Sequence, residues 1–215
     1  MSAPAGLTID LAPRLRVLQP PRSVDKGSRT ATGVVASTGP SFEWEEDIGQ
    51  FVEFLSFEPG HVNLRRLELG APLLDSHGVI DNQAKMGMPS LADQYGVVTD
   101  VQLEPEALVC TFKFDGTDRR RWVFDNVADG IFRNFSLAYT VHRYEAIGQD
   151  EELRLRGLHP ELAAVPAGVP FLRAVSWTPY EVTLLPIPQD PAAHLRGVSG
   201  TDRNPCSLVG LTGAQ

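Results

Sequence analysis

The sequence predicts a mainly β fold with peripheral helices, in which a small antiparallel β-barrel, closed or half closed, is packed against helices. Short segments of alternating apolar and polar residues recur through the middle of the chain, as expected for half-buried strands. Glycine (19) and proline (17) are frequent enough to favour turns over long helices. The length of 215 residues suits one domain with its own hydrophobic core.

The composition argues against several broad classes of protein. Hydrophobic residues make up 42% of the chain and charged residues 21%, which favours a packed core over disorder. The net charge of −8 gives no general attraction to nucleic acid or to an anionic membrane. No apolar run reaches the roughly 18 residues of a membrane span, and no signal-peptide core follows Met1. We therefore expect a protein of the cytosol.

The two cysteines, Cys110 and Cys206, lie too far apart in the sequence to indicate a zinc site or a disulfide framework. Cys110 lies within an apolar run, so we expect its thiol to be buried and inert. We expect neither a metal nor a cofactor.

The first predicted elements follow an N-terminal segment, residues 1–27, whose prolines and mixed charges indicate a flexible arm. Strands are predicted over 29–37 and 50–57, because both are rich in β-forming residues and both are followed by paired glycine and proline. Apolar residues spaced among basic ones predict a short helix over 61–69.

The central part of the chain carries the clearest patterns. Residues 95–103 and 107–114 predict a hairpin, since two alternating segments flank a short turn containing proline. A helix is predicted over 117–129, with Gly130 as its C-terminal stop. Strict alternation then predicts a strand over 134–144, with apolar side chains on one face and small or polar ones on the other.

The last part of the chain begins with a charged segment, 149–156, and a proline-rich stretch, 160–170, both predicted as loop. Two final strands are predicted over 171–177 and 180–187. The tail, residues 197–215, is rich in glycine, serine and threonine and is predicted to be flexible.

Few residues are candidates for catalysis, because the phosphate-binding, zinc-protease and nucleophile-elbow motifs do not occur. Ser136 lies between two apolar residues of an alternating strand, and Glu181 occupies a similar position in a later one. By themselves such residues are most often solvated strand positions. Only His77 ends an apolar segment in a turn that could fix its ring. The other histidines are less suitably placed as a base for Ser136: His61, His142, His159 and His194.

Four stretches add to these candidates. They are 72–77 (PLLDSH), 95–98 with 107–115 (YGVV and ALVCTFKFD), 127–139 (VADGIFRNFSLAY) and 177–193 (WTPYEVTLLPIPQDPAA). In this order and at these spacings they resemble the tailed-phage prohead serine proteases, also called head-maturation proteases. The first resembles the strand that ends in the catalytic histidine, the third the strand with the nucleophilic serine, and the last the closing strand.

The resemblance implies the small β-barrel wrapped by helices of the herpesvirus assembly proteases. It implies a serine protease domain over 28–196, with His77 as base, Ser136 as nucleophile and Glu181 as the third member of the triad. It places oxyanion-hole donors in the loop after the last strand, at Gln189 or Asp190, since prolines there have no N–H. Two features depart from the family pattern: Ala138 replaces a glycine, and the interval between Ser136 and Glu181 is long.

The implied activity is that of a serine endopeptidase that cuts the scaffold protein and the N-terminal region of the major capsid protein during prohead maturation, and also cuts itself. The implied location is the interior of the procapsid in the host bacterial cytoplasm. The resemblance implies neither nucleic acid nor membrane as a partner, and it is compatible with a homodimer. One alternative is a non-catalytic β-barrel that retains the fold and serves capsid assembly or interaction, which Ala138 supports. A general cytosolic peptidase is another.

Overall fold

A computed structural model describes residues 7–11, 14–18, 23–75, 91–185 and 204–209. In this part of the chain, no helix is both long enough and apolar enough to span a bilayer.

Most of the described chain is β-structure, joined into one twelve-stranded sheet. The strands are β1 Leu7–Leu11, β2 Arg14–Leu18, β3 Ser23–Asp25, β4 Thr30–Ser37, β5 Ser41–Glu45, β6 Gly49–Leu55, β7 Pro72–Asp75, β8 Gln94–Glu104, β9 Ala107–Phe114, β10 Asn134–Ala146, β11 Phe171–Leu185 and β12 Asn204–Val209. The α-helices are α1 Arg65–Glu68, α2 Arg121–Ala128 and α3 Gln149–Leu158, and short 3₁₀ turns cover Leu91–Asp93 and Pro160–Ala164.

The strand order across the sheet is β1-β12-β10-β11-β7-β8-β9-β4-β3, with β2 paired to β10, β6 to β11, and β5 to β6. The mainly β prediction is therefore confirmed. The sheet was expected to be antiparallel and is mixed, because β10 pairs with β12 in parallel, as β11 does with β6 and β7. The sheet is a large, open, mixed one with few helices.

The core lies where β4 and β9 pack across β10. The rings of Phe112 and Phe135 stack with their centroids 4.7 Å apart. Gly33 on β4 allows this approach, since a Cβ there would come within 2.9 Å of the Phe135 ring. Helix α2 adds the buried side chains of Phe124 and Val127 to the same core. β10 is thus held from its apolar face by side chains distant in sequence.

The predicted hairpin is confirmed as β8 and β9, with Glu104 paired to Ala107 across the turn. The predicted helix over 117–129 is shorter than expected, because residues 117–120 form a turn in which the Thr117 N–H donates to Asp115 at 2.9 Å. Its predicted stop is confirmed, since Gly130 has a φ of 71° and its N–H donates to the Val127 carbonyl.

The predicted loop over 149–156 is wrong, because this segment is helix α3. Acidic residues fill its first turn, and Arg156 forms an ion pair with Glu152, four residues earlier, at 2.9 Å. Both features stabilise the helix. Because the helix has no strong apolar face, the spacing of apolar residues in the sequence did not predict it.

The two predicted final strands are one strand, β11. Pro179 pairs with Tyr139 while Glu181 pairs with Ala138, so Tyr180 is the extra residue of a β-bulge. The bulge lets the chain pass the proline without ending the strand. At the chain ends, strands β1, β2 and β3 of the N-terminal segment and β12 of the tail pair into the sheet.

Candidate functional site

Ser136 lies near the start of β10, directly opposite Thr183 of β11. Its other neighbour in the sheet is β2, where Val17 is opposite Ser136. The serine side chain is 0% exposed, and its strand neighbours Phe135 and Leu137 are also fully buried. Ser136 is therefore not a solvated strand position, because both faces of the strand are covered at this level.

Glu181 lies on β11 opposite Ala138, two residues from the partner of Ser136. Side chains alternate along a strand, so Glu181, Thr183, Ser136 and Ala138 share one face, as predicted from the sequence. Ser136 and Glu181 are diagonal neighbours on this face, which corresponds to a separation of roughly 7–8 Å. Glu181 is half-buried, in contrast to the fully buried serine.

Strand β7 lies on the other side of β11, parallel to it, with Leu74 opposite Thr183 and Asp75 opposite Leu184. The Thr183 hydroxyl, itself fully buried, donates to the Leu74 carbonyl oxygen at 2.9 Å. Strands β7, β11 and β10 are therefore aligned at the level of Ser136, and Thr183 ties the first two together.

At the end of β7, the Asp75 carboxylate accepts a hydrogen bond of 2.6 Å from the Tyr95 hydroxyl. Burial, with this hydrogen bond as a second cause, raises the pKa of Tyr95. One Asp75 oxygen is therefore already held by a tyrosine of β8, whose ring contacts Trp122 of helix α2.

His77 lies outside the described residues, as do the oxyanion candidates Gln189 and Asp190. Of the predicted catalytic residues, the structure thus places Ser136 and Glu181 on one face of adjacent strands. It also places Asp75, two residues before His77 in the sequence, opposite Leu184 of β11.

One Ser–His pair was missed by the sequence analysis. The Ser56 hydroxyl and Nδ1 of His61 lie 2.7 Å apart. The same hydroxyl accepts the Glu58 N–H at 3.4 Å, and the indole N–H of Trp177 donates to the Ser56 carbonyl at 2.9 Å. These bonds fix the turn after β6 against β11, which is a structural role. A serine and a histidine five residues apart in a turn form no recognised motif, so the sequence held no signal for them.

A buried carboxyl group was also missed. Glu53 on β6 is 0% exposed and accepts hydrogen bonds from the hydroxyls of Tyr139 and Tyr144 on β10. Ser41 of β5 lies at 3.5 Å from one of its oxygens. This cluster satisfies a polar group inside the core. The only sequence signal is a single glutamate inside an apolar strand.

Cys110 is fully buried on β9, and burial raises the pKa of its thiol to about 12. The predicted burial of this cysteine is confirmed. Among the residues that the structure describes, no group of three metal-ligating side chains comes together.

Comparisons with protein-family models, with curated proteins and with solved structures find no match to this chain.

Proposed function

We propose that the protein is a serine endopeptidase of the phage head-maturation type, with Ser136 as nucleophile, His77 as general base and Glu181 as the residue that orients the histidine. One observation carries the proposal. The strands bearing Ser136 and Glu181 and the strand that ends two residues before His77 are far apart in the sequence, yet β10, β11 and β7 are consecutive neighbours in the sheet. Such convergence on neighbouring strands is what a triad assembled from separate segments requires.

The proposal requires the chain after β7 to bring His77 toward both partners. Adjacent strands are about 4.8 Å apart, so the end of β7 lies about 10 Å from the backbone of β10. His77 is two residues beyond Asp75, and two residues span up to about 7 Å. Glu181 lies three residues before Leu184, the residue opposite Asp75, so residues 76 and 77 have to turn back along β11 for the imidazole to meet both side chains.

The reaction is acyl transfer. As the Ser136 oxygen attacks the scissile carbonyl carbon, its proton passes to His77. His77 returns the proton to the leaving amine as the peptide bond breaks. A water molecule, deprotonated by the same histidine, then releases the acyl group. Glu181 accepts the other ring N–H and stabilises the imidazolium, and backbone N–H groups near Gln189 and Asp190 stabilise the oxyanion.

The proposal includes the substrates and the fold implied by the sequence resemblance. The substrates are the scaffold protein, the N-terminal region of the major capsid protein, and the chain itself, within the procapsid. Confinement inside the procapsid gives the substrates a high local concentration around the protease, so a protease of low intrinsic activity suffices. The proposed fold is a small barrel like that of the herpesvirus assembly proteases, and the packing of β4 and β9 across β10 supports such curvature.

A second function, a non-catalytic capsid-assembly or interaction protein, is favoured by one observation. A nucleophilic serine must meet its substrate, whereas the Ser136 side chain is 0% exposed. Under the catalytic proposal, access to Ser136 requires displacement of a covering segment. Under the alternative, the hydroxyl is a satisfied core group and the fold serves contacts alone.

Proteolysis distinguishes the two functions. Wild type, Ser136→Ala and Ser56→Ala are incubated at high concentration with denatured casein, and intact masses and fragments are followed. We expect fragments from wild type and Ser56→Ala, and none from Ser136→Ala. We expect Glu181→Gln to lower kcat by up to about 10⁴-fold, because the histidine loses the partner that fixes its tautomer. Intact casein and full-length chains in all samples would support the non-catalytic function.

A further inference from the structure

Both edges of β10 are occupied at the level of Ser136. One edge pairs with β11 over twelve positions. The other pairs antiparallel with β2 over five positions, from Phe135 opposite Leu18 to Tyr139 opposite Arg14. Farther along, β12 of the tail continues this second edge in parallel at Arg143. Segments from the two chain ends therefore cover the side of β10 that faces away from β11.

The two neighbours of β10 are held very differently. β11 pairs with β10, β6 and β7, so it is fixed in the interior of the sheet. Among the described strands, β2 hydrogen-bonds to β10 alone, over a short ladder, and it also lies close to β4. Short ladders at a sheet margin open at lower free energy than interior ones. An exposed strand edge, once vacated, presents free N–H and C=O groups that bind any extended polypeptide by strand addition.

We propose that the edge of β10 at residues 135–139 is a binding site for an extended polypeptide strand, and that Arg14–Leu18 occupies it as an internal competitor. The occupant it competes with is an extended segment of substrate, a part of the proposal that rests on the proposed function. Displacement of β2 frees backbone groups directly beside Ser136, since Val17 is the residue opposite that serine. The N-terminal segment thereby lowers the activity of the folded chain until substrate displaces it.

Amide hydrogen exchange of the wild-type chain tests the first part. Along residues 135–139 of β10, successive N–H groups alternate between the β11 side and the β2 side of the strand. We expect the amides facing β2 to exchange at least about tenfold faster than those facing β11. Equal protection on the two sides would overturn the inference, because β2 would then be a permanent part of the sheet.

A matched pair of variants tests the competition. The first variant is Arg16→Pro/Val17→Pro. The N–H groups of consecutive strand residues point to opposite edges, so one of these two residues donates its N–H to β10, and proline removes that donor. Arg16→Ala/Val17→Ala changes the same side chains and keeps both N–H groups. A fluorescent peptide with the sequence of residues 12–20 is titrated into each. We expect at least about fivefold tighter binding to the proline variant, the equivalent of about one ladder hydrogen bond. Equal affinities would overturn the inference.

Cleavage of denatured casein by the same two variants separates this inference from the proposed function. If the protease proposal and the internal competitor are both correct, the proline variant cleaves casein faster than the alanine variant. The ratio of the two cleavage rates should then equal the ratio of their affinities for the peptide. Tighter peptide binding without any cleavage supports the strand site and contradicts the protease proposal. Equal cleavage with equal peptide binding supports the protease proposal and overturns the internal competitor.

Discussion

Thr183 is the residue whose substitution most directly tests the alignment of the three strands at the site. Its hydroxyl donates to the Leu74 carbonyl at 2.9 Å, and its side chain is fully buried opposite Ser136. Thr183→Val keeps the shape of the side chain and removes the donor. The change leaves a buried carbonyl acceptor on β7 without this donor, and it puts a methyl group where the hydroxyl was.

The expected cost is about 1–3 kcal/mol, as for other buried polar groups that lose a partner. For a chain of 215 residues, each 1 kcal/mol lowers the melting temperature by about 2–4 °C. We therefore expect Thr183→Val to melt about 2–12 °C below wild type. Thermal unfolding followed by circular dichroism measures the shift, and urea unfolding gives the change in the free energy of unfolding independently.

Thr178→Val is the matched control, because Thr178 lies on the same strand, and its hydroxyl is 2.9 Å from Nε2 of His142 at an exposed site. There water replaces the lost partner, so we expect a change within about 0.5 kcal/mol. Equal losses for the two variants would refute the reasoning, since burial of the Thr183 hydrogen bond would then contribute nothing. A loss near zero for both would show that β7 is not held to β11 by this bond.

Three further predictions concern other parts of the fold. Gly33→Ala is expected to destabilise the fold by about 1–3 kcal/mol in urea unfolding, because a Cβ would approach the Phe135 ring within 2.9 Å; an unchanged midpoint would show that β4 shifts freely. Cys110, whose pKa is raised to about 12 by burial, should resist iodoacetamide at pH 8 in the folded chain and react after unfolding, tested by mass spectrometry in a variant without the other cysteine. Hydrogen bonds from Arg173, the largest cause, lower the pKa of Glu151, so its stabilising effect is present at neutral pH and lost as the pH falls through that lowered pKa. Wild type should therefore exceed Glu151→Gln in stability by more at pH 7 than at pH 3, and a constant difference would contradict this.

Sequence patterns identified the elements whose signals are local. The hairpin of β8 and β9 follows from alternation on both sides of a turn, and Gly130 follows from the need for a positive φ at a helix end. Helix α3 was missed because its stability comes from ion pairs and from charges at its ends. β11 was divided at Pro179 because a bulge, which depends on the partner strand, absorbs the proline.

The burial of Ser136 depends on tertiary structure and could not be predicted. Alternation along β10 shows which residues share a face, and the register confirms that Ser136 and Glu181 do. It does not show whether a second layer covers the polar face. The hydrogen bonds of Glu53 to Tyr139 and Tyr144 likewise join strands distant in the sequence, and no local pattern encodes such a meeting.

Covalent labelling with a fluorophosphonate probe tests the central claim most directly, because the probe reacts with a serine only when a base activates its hydroxyl. Wild type, Ser136→Ala, His77→Ala and Ser56→Ala are labelled, and the modified peptide is identified by mass spectrometry. The account predicts one adduct on Ser136 in wild type and Ser56→Ala, and none in Ser136→Ala or His77→Ala. An adduct on Ser56, or no adduct on Ser136 in either wild type or the Arg16→Pro/Val17→Pro variant, would contradict it.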